Sequence, residues 1–440
     1  MRRLIYIFII GLLLCSYTWA DGSRYASNSL LTEGKWVKIR VDKTGIYKLS
    51  YADLKNMGFS DPSKVSVHGY GGWPLDEDFS KEYIDDVPST PVWRGSDYLL
   101  FYGKGSVKWE YDSSSQTFVH TNNPYSLYGY YFVTDATPTN DMTSVAQASG
   151  ASTRITTYDD YLLHEQELVS VNQSGREFFG EDFSGARPRT ISTFSSIPGI
   201  TGADGKVTMR FISRINSGSG TASLSINDSE LLDITIPSIQ TVSSNVRSYT
   251  KAIPGTTTAL WKGSKSEKNN VVVSYSSSGH TNVRLDYIRM QFVRTLRPYG
   301  ACTFFRSLTS VGNASRFVIS EANSNTLVFD VTDALNVKRV EADLNGSELS
   351  FTIPAGRLRE FVLVQTNQTF PSPEVVGEVA SSNLHGLEQR DMIIISAPSL
   401  VQQAERLAVA HREKDGLTVE VVTPEAIYNK LSSGMAARDT

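Results

Sequence analysis

The segment Asp391–Glu420, DMIIISAPSLVQQAERLAVAHREKDGLTVE, is the part of the sequence that most constrains the fold of this chain. Met392–Ser396 is a continuous apolar run, which is typical of a strand covered on both faces of a parallel sheet. Five residues then recur at the spacing of one helix face: Leu400, Ala404, Leu407, Ala408 and His411. Asp415-Gly416 is a helix C-terminus signal, and Thr418–Val422 has the composition of a second buried strand. The pattern predicts the opening of a parallel α/β domain.

A second helix is predicted directly after this pattern. Thr423 suits the N-cap, Pro424 the first turn and Glu425 the positive end of the helix dipole, and the helix is expected to run to about Leu431. Two parallel strands and their helices cannot close a doubly wound core, since such strands need cover on both faces. We expect residues 385–440 to be the first βαβ of an α/β domain that this chain leaves incomplete.

Almost everything before this segment predicts β structure, so the expected fold class is mainly β. Short alternating runs separated by turn signals predict a β-rich domain over 21–150 and a β-sandwich or jelly-roll-like domain over 151–300. A further β region is expected over 301–380. Small polar residues over 135–155 predict a linker or long loop.

The first of these β segments carries the most detailed pattern. In Trp36–Val41 apolar and polar residues alternate, which predicts a half-buried strand, and the run Ile46–Leu49 predicts the returning strand of a hairpin. Ser50 is expected to cap a short helix, Tyr51–Met57, closed by Gly58.

Residues 1–20, MRRLIYIFIIGLLLCSYTWA, predict a secretory signal peptide, because two arginines precede an apolar run and Ala20 suits the cleavage position. A retained membrane anchor is the alternative, but the run is short for a spanning helix, which needs roughly 20 residues. A lipoprotein attached to the membrane through Cys15 is a less favoured interpretation, since Leu14 stands where a small residue is expected. We therefore expect an exported protein.

Cysteine usage and charge exclude some functional classes. The chain has 2 cysteines and a net charge of −4. Without the signal peptide Cys302 is the only thiol, so no intrachain disulfide can form. No basic stripe stands out, which argues against a nucleic-acid partner.

Three stretches together carry a resemblance to a known family. They are Lys35–Leu54, KWVKIRVDKTGIYKLSYADL; Ser174–Phe183, SGREFFGEDF, preceded by Tyr158–Tyr161 and Glu165; and the 391–434 segment, which ends in VVTPEAIYNKLSSG. In this order they resemble the PorU-type sortases of the type IX secretion system, exported members of the gingipain-like cysteine peptidase family. The resemblance covers nearly the whole chain after the signal peptide.

This resemblance implies β domains followed by an α/β caspase-like peptidase domain that cleaves C-terminal sorting signals from cargo. It implies a position at the cell surface or outer membrane, with secreted cargo proteins and other outer-membrane secretion components as partners, and no cofactor. The family's catalytic His and Cys lie beyond the first strands of the peptidase domain. The chain is therefore expected to be an N-terminal portion that stops before the catalytic dyad, without catalytic, cofactor-binding or metal-binding residues.

The residues themselves leave one catalytic alternative. A thiol nucleophile needs a base within hydrogen-bonding reach, and His280 precedes Cys302 in the order that the family uses. Both residues lie outside the α/β segment, so the family pattern does not map onto them, and we expect Cys302 to be structural. The other five histidines, His68, His120, His164, His385 and His411, have no Cys or second His at metal-ligand spacing.

A binding function is the alternative from a different class. Trp73, Trp93 and Trp109 stand among Gly and Asp residues and could stack on sugars, or could equally belong to the core. The charged residues of SGREFFGEDF are expected to form a salt bridge at a domain junction rather than a functional cluster. This alternative describes an exported, non-catalytic β protein that binds a surface glycan or a partner protein.

Overall fold

The structure, a computed structural model, describes residues 26–76, 78, 80–81, 84–170, 177–185, 187–215, 218–239, 252–277 and 282–436. The predicted signal peptide therefore lies outside the described residues, as do Arg176 and His280.

In chain order, the strands are β1 (Val37–Val41), β2 (Gly45–Ser50), β3 (Ser66–His68), β4 (Ser89–Thr90), β5 (Val92–Arg94), β6 (Tyr98–Gly103), β7 (Val107–Asp112), β8 (Thr117–Asn122), β9 (Gly129–Thr134), β10 (Ser144–Val145), β11 (Thr153–Ile155), β12 (Thr157–Glu165), β13 (Arg189–Thr190), β14 (Gly205–Ser213), β15 (Ser219–Ile226), β16 (Ser229–Pro237), β17 (Ile253–Trp261), β18 (Val271–Ser277), β19 (Val283–Thr295), β20 (Cys302–Phe305), β21 (Ser315–Ile319), β22 (Thr326–Asp330), β23 (Lys338–Val340), β24 (Asp343–Asn345), β25 (Glu348–Ile353), β26 (Phe361–Gln365), β27 (Glu374–Glu378), β28 (Met392–Ile395) and β29 (Val419–Val422). The α-helices are α1 (Tyr51–Asn56), α2 (Val401–Lys414) and α3 (Pro424–Leu431).

The chain divides into two compact units, each built from segments that are distant in sequence. The first unit comprises the residues up to Lys108, Tyr125–Asp141 and the residues from Pro371 onward. The second comprises Trp109–Pro124 and Met142–Phe370. The predicted domain boundaries at 150, 300 and 380 stay predictions.

The first unit contains a sandwich of two sheets with strand orders β27-β1-β9-β3-β4 and β2-β6-β5. Val37, Ile39 and Val41 of one sheet and Tyr47 and Leu49 of the other meet in one buried core. The predicted hairpin of β1 and β2 is therefore wrong, because the two strands pair with different neighbours. Their apolar faces cover each other across the sandwich and do not lie side by side in one sheet.

The predicted first helix is confirmed as α1. Ser50 caps it, its hydroxyl accepting from the Asp53 backbone N–H at 3.0 Å, while the Asp53 carboxylate accepts from the Ser50 backbone N–H at 3.3 Å. This capping box satisfies two backbone donors that a helix start leaves unpaired. Gly58 follows with a φ of 92°, a conformation that glycine adopts without a steric penalty.

The second unit contains two sandwiches. Sheets β12-β19-β14-β17 and β13-β18-β15-β16 enclose the largest core, which includes Val207, Met209, Ile288 and Met290. Sheets β10-β23-β22-β26-β20 and β11-β21-β25-β24 enclose a second core rich in phenylalanine, with Phe305, Phe317, Phe351 and Phe361 among its members. The predicted sandwich architecture is confirmed.

The predicted linker over 135–155 is partly wrong. Ser144 and Val145 form β10, which pairs in parallel with β23, and Thr153–Ile155 forms β11, which pairs in parallel with β21. Both strands lie at the edge of their sheets. At two and three residues both strands are short, as edge strands commonly are, and such short strands show little apolar periodicity in the sequence.

The C-terminal strand–helix–strand–helix is also confirmed, and it belongs to the first unit. Strands β28 and β29 pair in parallel, with Met392 opposite Val419 and Ile395 opposite Val422, and α2 connects them. With β-sandwiches before it and this α/β segment at the end, the mainly β fold class is confirmed.

Candidate functional site

The carboxylate of Asp391 connects the two strands of the α/β segment at the point where each strand begins. Asp391 Oδ2 accepts from the Thr418 backbone N–H at 2.8 Å and from the Thr418 hydroxyl at 2.7 Å. These hydrogen bonds favour the charged carboxylate, so they hold the pKa of Asp391 below its usual value. The contact joins the residue before β28 to the residue before β29 and fixes the register of the parallel pair.

The apolar surfaces of this segment are only partly covered. In α2, Ala404 and Ala408 are buried as the helical spacing predicted, but Leu407 is 50 % exposed. On β28, Ile393 is 58 % and Ile395 62 % exposed. Ile393 and Ile395 thus lack cover among the described residues, as expected of two parallel strands that cannot close a core by themselves, and the segment presents apolar strand and helix surface to solvent.

The residues after α3 contact the N-terminal sheet through a buried lysine. Lys38 on β1 donates from Nζ to Asn429 Oδ1 at 2.9 Å and to the Gly434 carbonyl at 2.7 Å, and its Nζ lies 4.5 Å from the centre of the Tyr130 ring. Lys38 is only 7 % exposed, which corrects the prediction that its face of β1 meets solvent. Burial lowers the pKa of Lys38 to about 8, against a smaller raising effect of Glu425.

Ser433 makes the second connection to the same sheet. Its hydroxyl accepts from the Tyr70 backbone N–H at 3.1 Å and donates to the Tyr130 carbonyl at 3.2 Å. A Cβ on Gly69 would lie 2.6 Å from this hydroxyl, so the close approach depends on glycine at that position. Ser433 has a positive φ of 52°, which is uncommon outside glycine and marks a conformation held by its contacts.

The stretch that precedes β28 is anchored in a similar way. His385 lies with Nε2 2.8 Å from Asp85 Oδ1, a residue 300 positions earlier. Asp86 accepts from the Ser29 hydroxyl at 2.9 Å. Lys430 is fully buried and donates to the Ser382 carbonyl; burial lowers its pKa to about 8, while Asp86 raises it partly. We call Lys38, Asp85, His385, Asn429, Lys430, Ser433 and Gly434 the anchor cluster.

The contacts of the anchor cluster are positional: the Ser433 hydroxyl donates to a backbone carbonyl and not to a base, and both lysine ammonium groups donate to carbonyl oxygens. Its effect is to fix where the end of α3 leaves the N-terminal sheet. Sequence reasoning missed it, because its members are up to 396 positions apart. The only signal in the sequence was Lys38 itself, a charged residue in a run of buried apolar neighbours.

Cys302, the thiol of the alternative catalytic pair, lies in the second unit and not in the α/β segment. Cys302 begins β20 opposite Val364 and is half-buried in the second unit. His280 lies outside the described residues, so a His280–Cys302 pair stays untested. The remaining histidines each have a hydrogen-bonding partner: Val87 for His68, Glu165 for His120, Glu181 for His164 and Asp415 for His411.

The clustered acids of the first unit serve local structure. Asp76 pairs with Lys81 at 2.5 Å, and Asp78 accepts from the Ser80 hydroxyl at 2.7 Å. Over the described ranges, no group of three His, Cys, Asp or Glu side chains has a geometry that could hold a metal ion.

A second charged cluster lies in the second unit, around a bulge near Asp286. Arg210 on β14 pairs with Asp286 and with Glu177 at 3.1 Å. Burial raises the pKa of Asp286 to about 6 and that of Glu167, which also lies near Glu165, to about 7. Glu177 was expected in a salt bridge at a domain junction, and its described partner is Arg210, a strand residue of the sandwich.

The tryptophans considered for sugar stacking have protein neighbours. Trp109 stacks on Tyr161 with ring centres 3.9 Å apart and planes at 18°. Trp93 packs against Tyr98, with ring centres 5.9 Å apart. Lys104 Nζ lies 4.4 Å from the centre of the Trp73 ring.

Comparison with known proteins agrees with the C-terminal pattern. The family model of Peptidase family C25 matches residues 385–439. The crystal structure of dimeric latent PorU from Porphyromonas gingivalis superposes with a TM-score of 0.84 and 34 % identity, covering 94 % of this chain and 39 % of that chain. The chain thus spans about two fifths of the length of this relative.

Other solved structures are far more distant. The insecticidal δ-endotoxin Cry8Ea1 from Bacillus thuringiensis has 11 % identity and a TM-score of 0.18 over 57 % of this chain and 54 % of its own. A cycloisomaltooligosaccharide glucanotransferase from Paenibacillus sp. has 9 % identity and a TM-score of 0.16 over 50 % of this chain and 48 % of its own. Likenesses this weak bear on neither fold nor function. No curated protein matches the sequence.

Proposed function

This chain belongs to the PorU-like proteins and carries a fragment of a C25 peptidase domain, and from this premise we propose that it forms the N-terminal, non-catalytic part of a type IX secretion sortase. The whole enzyme would be a gingipain-like cysteine endopeptidase that removes C-terminal sorting signals from secreted cargo. It would work at the cell surface or outer membrane, reached through the predicted signal peptide. Within the described residues no helix is long and apolar enough to cross a membrane.

The observation that carries this proposal is the uncovered α/β segment. Ile393 and Ile395 on β28 expose more than half of their surface, although a parallel strand of this composition is normally covered on both faces. We infer that further strands and helices of a C25 domain cover these residues in the complete enzyme. The sandwiches and the anchor cluster then hold the first strands of that domain in place.

The reading frame after the codon for Thr440 provides the first test. We expect it to continue through further α/β elements that carry a histidine and then a cysteine at strand ends, the order of the peptidase family. A stop codon there, with a stable product in the cell, would contradict the sortase role.

The second test is enzymatic and uses the 440-residue chain itself. Incubated with a cargo protein that carries a C-terminal sorting domain, the chain is expected to leave the cargo intact, because a thiol nucleophile needs an oriented base. Cys302→Ala should behave identically when cargo cleavage is followed by mass spectrometry. Cleavage that is present in the chain and lost in Cys302→Ala would overturn the proposal that this portion is non-catalytic.

A further inference from the structure

The sheet β12-β19-β14-β17 has one face on the large core and one polar face, which we call the outer face. On β19 the outer face carries Tyr287, Arg289 and Gln291, because Ile288, Met290 and Phe292 point to the core. In the antiparallel register with β14, Arg289 stands opposite Thr208. Burial of Thr208 at 1 % exposure shows that this part of the outer face is enclosed.

Arg289 is a buried cation for which the described residues provide no partner. It is 8 % exposed. Among the residues that the structure describes, none offers its guanidinium an acceptor or a carboxylate, and Nε is one of the buried donors left unsatisfied. Its described contact is with the Tyr287 ring, whose centre lies 5.0 Å from the guanidinium carbon.

Another buried arginine of this unit shows the normal arrangement. Arg306 is 3 % exposed and pairs with Glu360 at 2.6 Å and with Asp160 at 3.7 Å. Leaving a buried charge unpaired is costly, and buried charges in proteins are as a rule paired. Arg289 departs from this rule, although the same sheet carries a carboxylate at Asp286, which Arg210 engages.

The β7–β8 hairpin fixes the surroundings of Arg289. The Gln291 side chain accepts from the Phe118 backbone N–H at 3.0 Å and donates to the Phe118 carbonyl at 3.3 Å. His120 sets its ring edge against Tyr287, with ring centres 4.6 Å apart. The hairpin therefore rests on the outer-face residues on both sides of Arg289 and covers most of its surface.

The other groups on this part of the outer face are hydroxyls, a second cation and the carboxylate of Glu165, which stands opposite Tyr287 and lies 3.3 Å from His120 Nε2. The Thr208 and Thr258 hydroxyls form a hydrogen bond of 2.8 Å across β14 and β17. Lys206, two residues before Thr208, donates to the carbonyls of Ser115 and Gln116 at 3.0 Å. Glu165 is engaged by His120 and forms no ion pair with Arg289, so the guanidinium is left without an anionic partner among the described residues.

We propose that Arg289 is the anchor of an oxyanion-binding site on the outer face, for a ligand that carries a carboxylate or a phosphate group. The planar guanidinium presents paired N–H donors that match two oxygens of such a group. The Thr208 and Thr258 hydroxyls and the Tyr287 phenol lie on the same face as further polar contacts. The site belongs to the second unit and is independent of the sortase role proposed above.

The test titrates the purified chain at pH 7 with inorganic phosphate, and separately with acetate, while chloride keeps the ionic strength constant. Hydrogen–deuterium exchange is measured on peptides that cover 109–122 and 283–295. We expect one of the two anions to slow exchange in both peptides. The anion that does so identifies which oxyanion the site prefers.

Three variants assign the effect to Arg289. Arg289→Met should weaken the response about tenfold or more, the size expected for a charge-assisted hydrogen bond. Arg289→Lys keeps the charge but loses the paired N–H donors of the planar guanidinium, so it should weaken the response and leave the protein folded. This variant serves as the test if Arg289→Met does not fold. Arg154→Gln removes an exposed arginine of the same unit and should respond like the wild type. An equal response in wild type and Arg289→Lys, or no response of the wild type to either anion, would overturn the proposal.

Discussion

Lys38 shows how a single residue can tie the two ends of the described chain together. Its ammonium group is buried against Asn429 and the Gly434 carbonyl, with no carboxylate among these two partners. Desolvation of this charge outweighs the raising effect of Glu425 and lowers its pKa to about 8, below the usual value of 10.5. The folded state therefore binds the proton of Lys38 less tightly than the unfolded state does.

This difference gives a prediction about pH. Between the folded pKa and the unfolded pKa the unfolded chain holds more protons, so the contribution of Lys38 to stability rises with pH. From pH 7.5 to 9.5 the free energy of unfolding of the wild type should increase by about 1–2 kcal/mol relative to Lys38→Met. Urea denaturation followed by tryptophan fluorescence at both pH values measures it.

Lys64→Met is the matched control, because the Lys64 side chain is 75 % exposed. Its difference from the wild type should not change with pH over the same interval. A constant difference between wild type and Lys38→Met would mean that the Lys38 pKa is not lowered in the folded protein.

Individual residues were predictable where their contacts are local. Ser50 and Thr423 were assigned as helix caps from the sequence, and both accept from a backbone N–H three residues later. Lys38 and Arg289 were not, because alternation assigns a residue to a face but does not show what covers that face. Part of the surroundings of each comes from a distant segment: Gly434 contacts Lys38, and the hairpin around Phe118 covers the strand of Arg289.

At the scale of elements, periodicity identified the strands but not their neighbours. The pattern of β1 and β2 is the same whether they form a hairpin or lie in facing sheets, since both arrangements bury alternate residues. The continuous apolar run of β28 correctly indicated a parallel strand, although Ile393 and Ile395 lack cover within the described residues. Edge strands such as β10 were missed because a strand of two residues is too short to show alternation.

The cap of α3 gives a prediction for this element. Thr423 Oγ1 accepts from the Ala426 backbone N–H at 3.3 Å, and Pro424 occupies the first turn. Thr423→Ala should destabilise the helix by about 1 kcal/mol, whereas Thr423→Ser keeps the hydroxyl and should cost much less. Hydrogen exchange of a peptide covering 424–431 measures the change. Equal protection in the two variants would show that packing, and not the cap, holds the helix start.

At the scale of the molecule, the first unit depends on strands that arrive late in the sequence. Strand β27 pairs with β1, and Arg40 makes a bidentate contact with Glu374 at 2.6 and 3.0 Å. The Lys48 backbone N–H donates to the Pro371 carbonyl at 2.9 Å. Residues 371–378 thus complete the N-terminal sandwich, and the α/β segment adds the anchor cluster to it.

Two truncations separate these contributions. A chain that ends at Phe370 loses β27 and leaves β1 as an edge strand paired only with β9, so hydrogen exchange in 37–41 should become faster. A chain that ends at Gln389 keeps β27 but loses the partners of Lys38, and its exchange should be intermediate. Peptides covering 271–277 and 315–319 in the second unit serve as the internal control and should keep their protection in both truncations. If the chain ending at Phe370 protects 37–41 as well as the full chain does, the late segments are accessories, and the N-terminal sandwich folds from its first 141 residues without them.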